Sequence, residues 1–286
     1  MQTSTNTCSI LSFGRGPDEL LVFGTLGQYG SYPDGAKVWI QSFPFYMGEL
    51  NLTKSLRAGK TVYDRKYVFI DRPGPNHMFQ SNQMFILDSN RFLLPKDPSR
   101  MRERNDNGPY YAILKYDTNT ITDSVFMATL PGIKKGNELI YAGYHGLKPD
   151  RKKIARVFRF MNMLTIYDLT NFSCRTISFD PSAGNYQRAQ EQKIEHNTAL
   201  FATDQLIYVI HNPTNSNQAL GQTLAVFDWS GTLIGQYALN DELRYLFVDE
   251  LHKMMYAITD SELLVKYDLS PIYASSHDKL VSTDLE

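Results

Sequence analysis

A short motif recurs four times: Ile113-Leu114-Lys115-Tyr116-Asp117, Leu164-Thr165-Ile166-Tyr167-Asp168, Leu224-Ala225-Val226-Phe227-Asp228 and Leu264-Val265-Lys266-Tyr267-Asp268. Each is a run rich in β-formers that ends in an aromatic residue and an aspartate. The aspartates fall 51, 60 and 40 residues apart (117 to 168, 168 to 228, 228 to 268). That range brackets the repeat length of four-stranded propeller blades. An aspartate at the end of a strand suits a turn, because its short carboxylate bonds the backbone two residues on.

The sequence around each motif repeats one plan. Downstream lies a further β-rich stretch, at Ile121–Thr129, Cys174–Phe179 and Leu233–Leu239. Upstream lies a hairpin, clearest in Tyr245–Val248, the polar turn Asp249–Lys253 and Met254–Ile258. Strand, turn, strand, aromatic-Asp strand and closing strand make one blade. Blades are expected at 84–130, 139–180, 197–240 and 243–269, with a less regular one within 21–70. That is five, and the N-terminal 82 residues leave room for a sixth. Helical periodicity is nearly absent; Tyr186–Glu195, polar and Gln-rich, reads as a short insertion between blades. The fold class expected is therefore all-β, with residues 1–286 forming a single propeller domain. The apolar segment Ser9–Phe13 is expected to close the ring as the outer strand of the last blade, since full closure removes exposed edges.

Composition restricts the function classes. The 29 Lys+Arg against 30 Asp+Glu leave a net charge of -1, so no global field draws in nucleic acid or an anionic membrane. The 42% hydrophobic and 13% aromatic content argues against disorder. Cys8 and Cys174 are too few for a disulfide framework. The N-terminal residues Met1–Ser9 lack the basic start and apolar stretch of a secretory signal, and no apolar run approaches the roughly 20 residues of a membrane helix. A leader of this polar kind also follows processing sites, so compartment stays open.

The segment Gly14-Arg15-Gly16-Pro17-Asp18-Glu19-Leu20 resembles the G-R-G-P-x-E-[FL] segment of TolB-like and NHL-like propellers from Bacteroidetes. The resemblance implies six blades and a periplasmic or cell-envelope location, and it carries no catalytic residue. Read on its own, the segment is a rigid turn between strands, with Pro17 fixing φ and Gly14 and Gly16 permitting close backbone approach. Arg15 stands as a candidate ligand-binding residue, because glycine-flanked amides beside a cation suit an anion.

Two histidines precede apparent first strands, the strands that line the axis of a propeller: His145 in Tyr141–Gly146, and His196 beside Glu195. A histidine with a neighbouring carboxylate has the chemistry of a base or a metal ligand, although inter-blade hydrogen bonding explains the same residues. Asp249, Glu250 and His252 read as a solvated hairpin turn. Asn105–Gly108 lacks the later Glu of a calcium loop. No G-x-S-x-G elbow or Ser/His/Asp triad is present. These observations favour a non-enzymatic binding or scaffold module for a protein, peptide or glycan, a monomer without cofactor or metal. The alternative is a propeller enzyme acting on glycans through His145 and His196 in the channel.

Overall fold

The computed structural model describes residues 22–43, 46–68, 84–96, 110–118, 120–126, 138–178, 191, 194–212, 214–215, 218–219, 221–274 and 282–284. Five four-stranded antiparallel sheets follow one another along the chain. The first comprises β1 (Val22–Tyr32), β2 (Gly35–Phe43), β3 (Tyr46–Asn51) and β4 (Tyr63–Val68). The second comprises β5 (Phe85–Ile86), β6 (Arg91–Lys96), β7 (Tyr110–Lys115) and β8 (Thr120–Phe126). The third holds β9 (Gly143–Leu147), β10 (Lys153–Phe158), β11 (Met163–Asp168) and β12 (Ser173–Ser178). In the fourth, β13 (Asn197–Ala202) and β14 (Leu206–His211) lead through a small hairpin, β15 (Thr214–Asn215) and β16 (Gln218–Ala219), to β17 (Thr223–Asp228) and β18 (Leu233–Ala238). The fifth is β19 (Leu243–Asp249), β20 (Met254–Thr259), β21 (Leu264–Asp268) and β22 (Ser282–Asp284). These are the blades of an all-β propeller, five in number as traced from the repeat. No sixth blade stands among the described residues, so the six implied by the resemblance are not met there.

The last blade corrects the expected closure. Its outer strand is β22, with Ser282, Thr283 and Asp284 opposite Tyr267, Lys266 and Val265. Ser9–Phe13 and Arg15 lie outside the described residues. Three polar residues carry no apolar periodicity, which is why sequence pattern alone passes over β22.

The chain divides into two compact units, residues 1–95 with 112–123 and residues 96–111 with 124–286. In the first, Ile40 and Leu50 form a small core with Val38, Leu52 and Tyr63 against it. An aromatic cluster centres on Tyr67, whose ring lies 5.0 Å from Phe92 and 4.9 Å from Tyr116 in edge-on contacts. A helix that the sequence pattern does not show, α1 (Leu52–Ala58), joins β3 to β4. Its ends carry the signals that periodicity lacks. The Asn51 side chain accepts from Lys54 N at 2.9 Å, and Gly59 closes the helix at φ 62°.

In the second unit the middle strands of blades three and four, β10, β11, β14 and β17, are buried on both faces. Ile207 and Val209 of β14, with Ala225 and Phe227 of β17, pack on Ala155, Val157, Leu164 and Ile166 of blade three. Their neighbours Tyr208, Ile210, Leu224 and Val226 point the other way, onto Leu243, Val248, Met255, Val265 and Tyr267 of blade five. Period-two alternation between two apolar interfaces explains why these strands read as unbroken hydrophobic runs.

The repeated motif is a core aromatic followed by a turn aspartate in blades three to five, and its copy in blade two departs from that plan. Tyr167, Phe227 and Tyr267 are fully buried, and Tyr116 is half-buried in the Tyr67 cluster. Asp168, Asp228 and Asp268 accept the N–H two residues on, from Thr170, Ser230 and Ser270, at 2.8–2.9 Å. Asp117 accepts instead from Thr118 N at 2.7 Å.

Candidate functional site

The inner strands of the second unit set its candidate site, with β13 lying against both β9 and β19. Close approach at β9 and β13 requires a glycine, since a Cβ on Gly146 would stand 2.3 Å from Leu200 Cδ2 and 2.8 Å from Ala202 Cβ. Adjacent residues on β9 point to opposite faces, which separates the groups that the sequence places side by side.

On one face, a polar row crosses blade three. Arg156 of β10 stands opposite His145 of β9 and Thr165 of β11, and Thr165 stands opposite Thr176 of β12. The two threonine hydroxyls lie 3.0 Å apart. The His145 Nδ1 and the Tyr111 hydroxyl are 2.5 Å apart, and the Tyr111 ring also meets Tyr167 edge-on at 4.6 Å. Arg156 is fully buried, bonds the Tyr141 carbonyl and stacks its guanidinium 5.0 Å from the Phe158 ring centroid. No sequence signal singles out this arginine: it interrupts an apolar run as an exposed strand residue does, and only the burial of both blade faces puts it inside.

On the other face, Tyr144 packs toward β13, where its hydroxyl lies 3.4 Å from Glu195 Oε1. Glu195 receives a two-pronged guanidinium, with Arg159 Nε to Oε1 and Nη2 to Oε2 both 2.9 Å. The turn between β10 and β11 places Arg159, and backbone bonds fix that turn to its own blade and to the approach to the next. Arg159 N donates to Ala142 O at 2.8 Å, and its own carbonyl accepts from His196 N at 2.7 Å. Asn197 secures the same turn, its amide donating to Phe158 O at 2.6 Å and Met161 O at 3.0 Å. The Asn197 Oδ1 lies 3.1 Å from His211 Nδ1. Burial, then the Glu195 charge, raises the Tyr144 phenol, so it stays neutral and acts as a donor. The Glu195 bond likewise holds Arg159 charged.

The structure thus brings Glu195 together with Tyr144 and Arg159, and ties His196 to the same turn through its backbone. The His196 side chain is buried at 8% exposure. His145 sits on the opposite face of β9, against Tyr111, and does not join the Glu195 group. Arg159 and Tyr144 are the members that sequence reasoning passed over; Arg159 offered no signal beyond a charged residue at a strand-to-strand turn.

The turn after β19 divides in two. Asp249 Oδ2 and His252 Nδ1 pair at 2.6 Å at the surface, as a solvated turn implies. Glu250 instead turns inward, half-buried, and accepts from Thr203 Oγ1 at 2.9 Å. Among the described residues no group of three or more His, Cys, Asp or Glu side chains is placed to hold a metal ion. No helix there is long and apolar enough to cross a membrane. The Asn105–Gly108 loop lies outside the described residues.

No protein-family model matches the chain, and no curated protein does. Among solved structures the chain is similar to one titled "Structure of U3-55K", at 8% identity and a TM-score of 0.47, covering 87% of this chain. The chain spans 64% of the length of that protein.

Proposed function

We propose that this propeller is a binding or scaffold module for a protein, peptide or glycan, and that the face bearing Tyr144, Arg159, Glu195 and His196 receives the ligand. The observation that carries the reading is the Arg159–Glu195 pair: it is bidentate, held from both sides by neighbouring blades, and still open to solvent, with 46% and 32% of the two side chains exposed. A planar ion pair fixed on rigid strands offers donors and acceptors at set positions, and nearby phenols add flat contact area at little entropic cost. Tyr245 of β19, 65% exposed, supplies such a surface. The catalytic alternative would join His145 to His196; His145 takes the face of β9 opposite Tyr144, the residue that meets Glu195, and the His196 side chain is buried.

Kinship with the TolB-like and NHL-like propellers, an envelope location and an anion-binding role for Arg15 belong to the same proposal and rest on the Gly14–Leu20 segment alone. Screening the full chain on a glycan array and a displayed-peptide library tests the reading, with Arg159→Ala and Tyr245→Ala alongside. We expect a specific ligand whose affinity falls about tenfold or more in either variant, as for anchors in a desolvated contact. Binding that ignores both substitutions, or turnover of a glycan without measurable binding at this face, would overturn it.

A further inference from the structure

In the second unit, the turns between second and third strands meet the starts of the inner strands. The Arg159 carbonyl accepts from His196 N at 2.7 Å, and Asp260 N donates to Glu242 O at 2.8 Å. Gln222, from the connection between β14 and β17, clasps the start of β19: its Oε1 accepts from Leu243 N at 2.6 Å and its Nε2 donates to Leu243 O at 3.3 Å. Blades three, four and five thus share one backbone-fixed rim, on which the guanidiniums of Arg159 and Arg244 are both paired. Arg159 takes Glu195 side-on, and Arg244 Nε donates to Asp260 Oδ1 at 2.6 Å.

This arrangement disfavours a charged ligand. An anion would have to displace a carboxylate from its guanidinium, and the exposed Glu242 and Glu262 repel it further. A cation finds Glu195 and Asp260 occupied, and solvated carboxylates hold it only weakly. The β14–β17 connection brings amides and hydroxyls without charge, with Asn212, Thr214, Asn215 and Gln218 among its residues. Asn212 ties it to the ion pair, donating from its backbone to His196 O at 2.7 Å and from its side chain to Glu195 O at 3.2 Å.

Arg159 uses two of its five N–H donors on Glu195, and the Phe160 ring backs the guanidinium at 5.3 Å. The remaining donors stand beside the lone pairs that Glu195 keeps. Neighbouring hydroxyls of a sugar ring each donate and accept, so one pair of them bridges both groups. The single-function groups of a peptide backbone are matched better by an open strand edge. The C–H face of a sugar ring also lies flat on an exposed phenol, which Tyr245 of β19 supplies. On the reading that this face receives a ligand, we propose that the ligand is an uncharged glycan, with adjacent hydroxyls across the Arg159–Glu195 pair and a ring face on Tyr245.

The full chain is tested against neutral oligosaccharides of glucose, galactose, mannose and N-acetylglucosamine, against sulfated and uronate-bearing glycans, and against basic peptides. A neutral oligosaccharide should bind, with an affinity that high salt changes by no more than about twofold. Tyr245→Ala should lower that affinity about tenfold, and so should Arg159→Lys, which keeps the charge and loses the paired donors. Thermal melts that match the parent show both variants folded; Tyr245 is a surface residue, so its variant stands if the other does not. A sulfated glycan or basic peptide that binds in place of any neutral glycan, weakens steeply with salt and is lost in both variants would overturn the glycan assignment and leave the binding module standing. Silence of every neutral glycan would overturn the assignment as well. Binding that ignores both substitutions would remove the face itself, and the binding reading of it too.

Discussion

Tyr267 donates its hydroxyl to Asp241 Oδ2 at 2.5 Å while its ring is wholly enclosed between blades four and five. The aromatic member of the repeat is therefore a core residue whose polar end reaches the connection into blade five, and the aspartate that follows it is a turn residue. These roles differ in energy. Replacing Tyr167 or Tyr267 with Ala is expected to cost about 3–5 kcal/mol, as for other large-to-small core changes. Replacing Asp168 with Ala is expected to cost about 1 kcal/mol, the net worth of its hydrogen bonds to exposed Thr170. Denaturant unfolding of the single variants checks the ranking, and an aspartate change that outweighs the tyrosine change would contradict it.

The same division explains what the sequence made legible. Blade four announces itself most plainly because Ile207–Ile210 and Leu224–Phe227 are buried on both faces and Asp228 marks the turn after them, so composition and turn chemistry coincide. Helix α1 hides because it is seven residues long and its information lies in one capping Asn51 and one Gly59, not in a stripe. The site was legible in part. Glu195 and His196 stand out by residue type, but their partner Arg159 is 36 positions away, and only the β10–β11 turn brings it there. His145 shares with His196 only a place at an inner strand, and the sequence does not show which face of that strand each side chain takes.

In the first unit, Lys37 lies 2.9 Å from Asp34 and 2.7 Å from Asp64, and Lys54 reaches Asp64 at 2.8 Å. The Asn51 side chain adds a bond to Asp64 at 2.9 Å, so the helix cap and the charges form one network. Hydrogen bonds from Lys37, then Lys54 and Asn51, hold the Asp64 carboxyl far below its usual range. A carboxyl depressed in the folded state stabilises the fold above its unfolded pKa and ceases to do so as pH falls through the folded value. Asp64→Asn is therefore expected to lower stability by about 1 kcal/mol at neutral pH, a modest figure because solvent screens the network. The difference from wild type should shrink in strong acid, below the ordinary carboxylate range. Thermal melts across pH check this; a gap that widens as pH falls would contradict the assignment.

Gly146 carries a steric prediction for the β9 and β13 contact. An alanine there meets the tip of the Leu200 side chain, which has rotatable bonds, and the Ala202 Cβ, which has none. Gly146→Ala is expected to cost about 1–3 kcal/mol, the usual range for overpacking a close interface. Combining it with Ala202→Gly removes the rigid obstacle, so the double variant should recover part of the loss. Additive losses in denaturant unfolding would show that the strain comes from elsewhere.

The last blade makes the C-terminus the sensitive one. With Val265, Lys266 and Tyr267 paired to Asp284, Thr283 and Ser282, β22 covers the outer edge of β21. A short, polar closing strand suits that position, because a charged edge deters pairing with another molecule. Ending the chain after Ala274 keeps the short helix α2 (Ser270–Tyr273) and its buried Ile272, and leaves the β21 edge bare beside Leu264, which is 51% exposed. The truncated chain is therefore expected to fold, to melt at lower temperature than the parent, and to self-associate with rising concentration. Differential scanning calorimetry and light scattering follow the two effects separately. A chain ending at 274 that melts with the parent and stays dispersed would show that β22 contributes nothing to blade five.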